Sequence, residues 1–247
     1  MIRGFLYWFV GGLFTTLWFI CVLPVIALIK NRALFIHKNI QLWSKLLLKF
    51  LCMVTVEVEG EENIDRARNY IIISNHRSFT DILVGSAAIP LQFRWLAKRS
   101  LFKIPLIGTA MRMAGYIPID REHSVSASRS LQRVKEVLGN GISVWIFPEG
   151  TRTRMEKLGK FKRGAFLIAI ESGKPILPVT LINTDNIFYK PFIVRGRRVK
   201  VVIGRPLEPG SFKREGKTIH EVTDQLVALV KKIIQTEYDA NVIKFKE

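Results

Sequence analysis

The sequence predicts an α/β protein with a largely parallel or mixed sheet flanked by helices, preceded by an N-terminal two-helix membrane anchor. Three observations carry that expectation. Short apolar runs rich in β-branched residues alternate with longer stretches of helical periodicity after residue 55, the pattern of layered α/β structures. Two of those runs, residues 70–73 and 142–146, end in polar, turn-forming residues. In an open α/β sheet that edge is where ligands bind. Residues 4–29 contain no charged side chain.

As a helix, residues 4–29 would be about 39 Å long, against roughly 30 Å of bilayer hydrocarbon. The stretch is longer than a signal-peptide core, and no small-residue cleavage site stands out after it, so it reads as retained. Lys30, Arg32, His37 and Lys38 follow it and only Arg3 precedes it. The positive-inside bias then places the bulk of the chain in the cytosol, on a cytoplasmic membrane. Pro24 favours a kink, so a crossing helix and a re-entrant pair with the next helix are both open. In residues 40–54, Gln41, Ser44, Lys45 and Lys49 fall on one narrow stripe at helical spacing. Ile40, Leu42, Trp43, Leu46, Leu47, Leu48, Phe50 and Leu51 cover the rest. So wide an apolar face, on a helix too short to span, suits the membrane interface. A core helix of the following domain is the alternative. Residues 1–54 are therefore expected to anchor and residues 55–247 to form the α/β domain.

Strands are expected over residues 54–58, 70–74, 93–97, 142–147, 176–182 and 199–204. Helices are expected over 79–88, 104–114, 125–138, 164–171 and 219–236. The 125–138 helix groups Val125, Leu131, Val134, Val137 and Leu138 near one face. The last helix opens on Thr218-x-x-Glu221, a capping box, with Val222, Leu226, Leu229 and Ile233 as its apolar stripe.

Composition narrows the partners. The 247 residues include 38 basic and 20 acidic side chains, a net charge of +18. Such a surface attracts polyanions, and a mean hydropathy of +0.20 favours an anionic membrane over nucleic acid. The basic runs, Arg152 to Arg163 and Arg195 to Lys200, contain little aromatic character, which also argues against nucleic acid. Each could dock on anionic lipid or simply be a solvated face. Cys21 and Cys52 both lie in apolar stretches and read as buried free thiols. No ligand spacing for a metal occurs. His37, His123 and His220 have no partner pattern.

His76 and Asp81 follow the first of the two motif-bearing strands, in Asn75-His76-Arg77-Ser78-Phe79-Thr80-Asp81. Asp81, just over one helical turn on, can fold back to the ring, fix its tautomer and support the charge that develops during proton transfer. Alone, this His-x4-Asp pattern is a weak signal. Three further blocks follow it in order: Gly115-Tyr116-Ile117-Pro118-Ile119-Asp120-Arg121, Phe147-Pro148-Glu149-Gly150-Thr151-Arg152-Thr153, and Ile176-Leu177-Pro178-Val179. With Leu96-Ala97-Lys98 and Phe161-Lys162-Arg163-Gly164 between them, the chain resembles the 1-acyl-glycerol-3-phosphate acyltransferases, the lysophosphatidate acyltransferases, over roughly residues 55–210. Pro118 departs from the pattern, which usually has an aromatic or aliphatic residue there.

The resemblance implies a reaction: acyl transfer from acyl-CoA or acyl-carrier protein to the 2-hydroxyl of 1-acyl-glycerol-3-phosphate, giving phosphatidate. It implies His76 as general base and Asp81 as its orienting partner, with no metal and no cofactor beyond the acyl donor. Ser74 and Ser78 flank the site, but the acceptor alcohol is itself the nucleophile. Arg121, Arg152 and Lys98 are expected at the acceptor phosphate, since guanidinium matches phosphate bidentately. Glu149 either hydrogen-bonds an acceptor hydroxyl or holds arginine side chains in place, the second being favoured. Gly150 and Thr151 complete the substrate-binding block, with Gly150 allowing a tight turn. The implied partners are the lyso-lipid, the acyl donor and the anionic membrane surface. Two competitors stay open: an acyltransferase with another acceptor, and a non-catalytic basic protein that gathers anionic lipid.

Overall fold

The structure, a computed structural model, describes residues 2–105, 107–120, 124–153, 157–190, 193–194, 198–213 and 216–242. Its centre is a mixed seven-stranded sheet in the order β1-β9-β6-β2-β5-β3-β4. The strands are β1 (Thr55–Glu59), β2 (Ile71–Ser74), β3 (Phe93–Lys98), β4 (Ile117–Ile119), β5 (Ser143–Ile146), β6 (Ile176–Ile182) and β9 (Arg198–Ile203), with a separate hairpin of β7 (Phe188–Lys190) and β8 (Ile193–Val194). Within the sheet only the β6–β9 pair is antiparallel. The four strands β2, β5, β3 and β4 are consecutive and parallel, so their C-terminal ends meet along one edge.

Helices cover both faces. On one face lie α3 (Thr80–Ala88) and the π-helical turn that follows α2 (Arg32–Leu46), packed on Trp95, Trp145, Val179 and Val201. On the other lie α5 (Ser124–Gly139), α6 (Gly164–Ser172) and α7 (Ile219–Val242), packed on Ile71, Ile73, Val144 and Ile146. Gly85 lets α3 sit directly on the sheet: a Cβ there would lie 2.7 Å from the Trp145 ring. The capping box is formed, with Thr218 N donating to Glu221 at 2.8 Å and Glu221 N donating to Thr218 Oγ1 at 3.3 Å. The buried stripe of α7 runs through Val222, Leu226, Val230, Ile234 and Tyr238. It therefore steps by four residues and leaves Leu229 and Ile233 only half-buried.

Several boundaries differ from expectation for local reasons. The helix expected over 104–114 starts late, as the short α4 (Ile107–Met113), and a 3-10 turn, Arg99–Lys103, precedes it. Pro105 disfavours helical geometry at the residue before it, and Ile104 is extended at φ −71°, ψ 124°. Strand β4 was not expected, because Pro118 interrupts it. It is the last strand of the sheet, and an edge is where a strand tolerates a residue without an N–H.

Helix α1 (Ile2–Leu28) runs unbroken through Pro24. Its window Phe9–Ile26 is long and apolar enough to cross a membrane, and only 6% of it is buried against the protein. Cys21 lies on that outer surface, against the expectation of burial; Cys52 is buried as expected. The polar stripe of the second helix points partly the other way from the interfacial reading. Ser44 is fully buried, and Gln41 Nε2 donates to the Ile89 and Leu91 carbonyls at 2.9 and 3.2 Å. His37 Nε2 also meets the Leu91 carbonyl, at 3.1 Å. These groups satisfy the backbone where α3 ends, whereas Leu42 and, in the π-helical turn Leu47–Leu51, Phe50 face away from the domain and stay exposed.

His37 was set aside on sequence, yet it is 1% exposed and packs edge-on against Phe93. Burial pushes its imidazole down to about 4, outweighing the upward pull of the Leu91 carbonyl, and Arg94 pushes the same way as burial. The folded protein refuses a proton that the unfolded chain takes up below its ordinary value of 6.5. This contribution to stability is intact above that value and lost as pH falls towards about 4. Denaturant midpoints measured between pH 7 and 4 should fall with pH, and His37→Gln should flatten the slope; an unchanged slope would remove His37 as its source.

Candidate active site

The edge where β2, β5, β3 and β4 end collects the chemistry-bearing residues. Asn75 fixes the first loop. It is fully buried, and its side-chain amide donates to the Leu181 carbonyl and accepts from the Leu181 N–H, both at 2.8 Å. The amide thereby continues the β2–β6 ladder in the residue after β2 ends, while the main chain turns away. Asn75→Ala would leave both Leu181 groups unpaired in the interior, each at a cost of about 1–3 kcal/mol. A lowered denaturant midpoint together with reduced turnover is expected; an unchanged midpoint would contradict the anchoring role.

The next residue is clamped at its backbone. His76 N donates to Glu149 Oε1 at 2.9 Å, and the His76 carbonyl accepts from Thr153 N at 2.8 Å. Its ring stacks on Phe147 with centroids 4.0 Å apart and 15° between planes, and Phe147 stacks in turn on Trp95. His76 Nδ1 lies 2.7 Å from Asp81 Oδ2, and the imidazole keeps 15% of its surface exposed while the carboxylate has none. The same oxygen accepts the Arg77 and Ser78 N–H groups at 2.7 and 2.9 Å. Asp81 sits in the first turn of α3, where the helix dipole favours negative charge. An acceptor facing Nδ1 places the ring proton there and leaves Nε2 with its lone pair available, which is the form a general base requires.

Among the described residues Glu149 pairs with backbone N–H groups and with no arginine, and it also lines a basic cleft. Its residue is 6% exposed; Oε1 accepts from His76 N and Oε2 from Gly159 N, each at 2.9 Å. It ties the loop after β5 to the loop after β2 through backbone N–H groups rather than through arginines. Gly150, at φ +77°, supplies the left-handed turn that brings the carboxylate back across.

Two cavities meet at Gly150. One, of about 740 Å³, is lined by Lys98, Arg99, Lys103 and Lys162 with Asp120, Glu149, Gly150 and Thr151. The other, of about 240 Å³, is apolar and lies between the sheet and α5–α6, against Leu96, Leu131, Val134, Ile146 and Ile168. They share Ile119, Asp120, Gly150 and Lys162. His76 lines neither; it reaches the basic cleft through Glu149. Lys98 and Thr151 are exposed at that cleft, whereas Arg152 is exposed but outside its lining. Arg121 lies outside the described residues, as do Arg154, Arg195 and Arg197 of the basic runs. Among the rest of those runs, Arg163 pairs with Asp224, and Lys200 with Glu59 and Asn241, so they are not purely solvated charge.

Sequence reasoning passed over Asn75, Phe147, Arg99 and Lys103. The first two stand inside the motif blocks, adjacent to His76 and two residues before Glu149, which was the available signal. Arg99 and Lys103 carried none, because only the turn after β3 brings them to the cleft.

The comparisons with known proteins agree with one another. A family model described as acyltransferase matches residues 55–182. A chloroplastic 1-acyl-sn-glycerol-3-phosphate acyltransferase of Arabidopsis thaliana is 32% identical over 83% of this chain and 59% of its own length. A 1-acyl-sn-glycerol-3-phosphate acyltransferase of Borreliella burgdorferi is 38% identical over 58% of each protein. The chain thus spans a little under three fifths of the length of these curated relatives. The crystal structure of a 1-acyl-sn-glycerophosphate acyltransferase from Thermotoga maritima superimposes with a TM-score of 0.79 at 26% identity, covering 99% of this chain and 95% of that one.

Proposed function

The chain belongs to the acyltransferase family, and from that premise we propose that it moves a fatty acyl group from acyl-CoA or acyl-carrier protein to the 2-hydroxyl of 1-acyl-glycerol-3-phosphate, giving phosphatidate. The observation that carries this reading is the 2.7 Å contact between His76 Nδ1 and Asp81 Oδ2. It holds the ring by Nδ1 and leaves Nε2 to act on the acceptor, in the one motif block that contains a histidine.

A secondary alcohol is a poor nucleophile near neutral pH, so its proton must leave as it attacks. His76 Nε2 takes that proton while the alcohol oxygen bonds to the thioester carbonyl carbon. The tetrahedral intermediate collapses with cleavage of the C–S bond. The departing thiolate recovers the proton from the imidazolium, which Asp81 has meanwhile supported. The chain's side chains supply every proton movement, and we assign no metal or cofactor to the step.

The acceptor phosphate is assigned to Arg152, Lys98 and Arg121. Lys98 is the exposed last residue of β3 and Arg152 is exposed in the loop after β5, where a dissolved or bilayer-borne phosphate can reach them. A charge-assisted contact is worth about 1.5–3 kcal/mol. Arg152→Ala should therefore raise the KM for lysophosphatidate about 10- to 150-fold, and the difference from wild type should vanish with a phosphate-free monoacylglycerol. If the variant discriminates phosphate as wild type does, the phosphate sits elsewhere.

We place the active site at the cytosolic leaflet, with residues 1–54 holding it there. Hydrophobic insertion is not screened by salt, so high salt should leave the full-length protein on membranes. The whole reading is tested by incubating purified protein with labelled acyl-CoA or acyl-carrier protein and a panel of lyso-lipids and glycerol-3-phosphate. Labelled phosphatidate from lysophosphatidate supports it. Transfer only to another acceptor replaces the substrate, and no transfer to any of them rejects it.

A further inference from the structure

We propose that the 3-10 turn Arg99–Lys103 and helix α4 form a second lipid contact, which seats the mouth of the basic cleft in the headgroup layer of an anionic membrane. Three aliphatic side chains along this short stretch stay in solvent: Leu101 at 41%, Ile104 at 41% and Ile107 at 55% of their surface. Single exposed aliphatics are ordinary, whereas a contiguous group beside charge marks an interaction surface.

The exposure is built into the backbone. Phe102 turns inward and is 8% exposed. Its carbonyl accepts from Arg112 Nη1 and lies so close to Gly108 that a Cβ there would be 2.1 Å away. Gly108 N donates to the Ile104 carbonyl at 2.8 Å. These contacts hold the turn against α4, with Leu101, Ile104 and Ile107 left exposed.

The occupant follows from what borders the patch. Its other flank is cationic: Lys98, Arg99 and Lys103 line the basic cleft on the inner side of the same turn, although Arg99 is also paired with Asp120. At its far end, Met113 and Ala114 pack with Ile26 of α1 and with Phe35, Ile36 and Ile40 of α2. The element that carries the patch thus packs at its C-terminal end against the helix that is long enough to cross a membrane. Aliphatic residues next to basic ones, on an element packed against an apolar helix, match the acyl–headgroup boundary of an anionic leaflet. Taken with the proposed reaction, a phosphate-bearing lipid would enter between these cations without leaving the headgroup layer.

The test places a nitroxide on Ile107→Cys in a Cys21→Ser background. Cys52 is buried and its thiol is pushed up to about 11, so it stays unlabelled. The full-length protein is reconstituted in vesicles of phosphatidylcholine and phosphatidylglycerol, and relaxation by oxygen is compared with relaxation by a water-soluble nickel chelate. Oxygen should dominate at Ile107, and the nickel chelate should dominate at Ile219→Cys, an exposed position at the start of α7. Nickel dominance at Ile107 would overturn the proposal. So would shielding from both reagents, which would mean a second copy or another protein covers the patch, and so would equal oxygen access at both positions. The readout needs no acyl transfer, so the lipid contact can fail while the reaction stands, and the reverse.

Discussion

Replacement of His76 by alanine is expected to remove nearly all acyl transfer while leaving the protein folded and on the membrane. General-base catalysis contributes about 10²- to 10⁴-fold, and no other histidine stands in a motif block. The geometry separates the catalytic loss from a folding defect. The bonds that fix this loop run through the His76 backbone N–H and carbonyl, to Glu149 and Thr153, and alanine keeps both. Asp81 Oδ2 still accepts the Arg77 and Ser78 N–H groups, so the buried carboxylate is not orphaned. What disappears is the imidazole and its stacking on Phe147. Turnover in mixed micelles, measured beside an unfolding curve, decides the matter. More than a tenth of wild-type activity, with an intact fold, would end the assignment of His76 as the base.

Asp81→Asn should lower turnover about 10²- to 10⁴-fold with little change in acceptor KM, since the carboxylate acts on the ring and not on the substrate. It should also cost stability. Oδ2 faces three donors, and Oδ1 is buried without a partner. With its carbonyl oxygen towards the donors, the asparagine amide would leave its NH₂ buried and unpaired, at about 1–3 kcal/mol. Turned the other way, it would set NH₂ against three N–H groups. Either way the imidazolium loses a full negative charge at 2.7 Å. Normal turnover with a raised KM would instead move Asp81 into the acceptor site.

The dyad was legible because its two members are close in sequence. A strand end, a short loop and the first turn of a helix bring His76 and Asp81 together by local geometry alone. The resemblance over four ordered blocks, with the long uncharged stretch in front of them, likewise fixed the family and the α/β class before any coordinates. Pattern alone did not locate short or interrupted elements: β4 carries a proline, β7 and β8 are brief, and Pro105 delays the start of one expected helix.

The sequence by itself determined the strand and helix periodicities, the motif order and the His-x4-Asp spacing, all of which depend on neighbours along the chain. Only the tertiary structure decided what Glu149, Asn75 and the second helix do. Glu149 binds a backbone N–H 73 residues away, and Asn75 replaces a strand partner 106 residues away. Gln41 and His37 face the domain because carbonyls at the end of α3 require donors. A buried polar group takes whichever partner the packed fold brings to it, and that partner is set by the sheet order, not by the residues beside it in the chain.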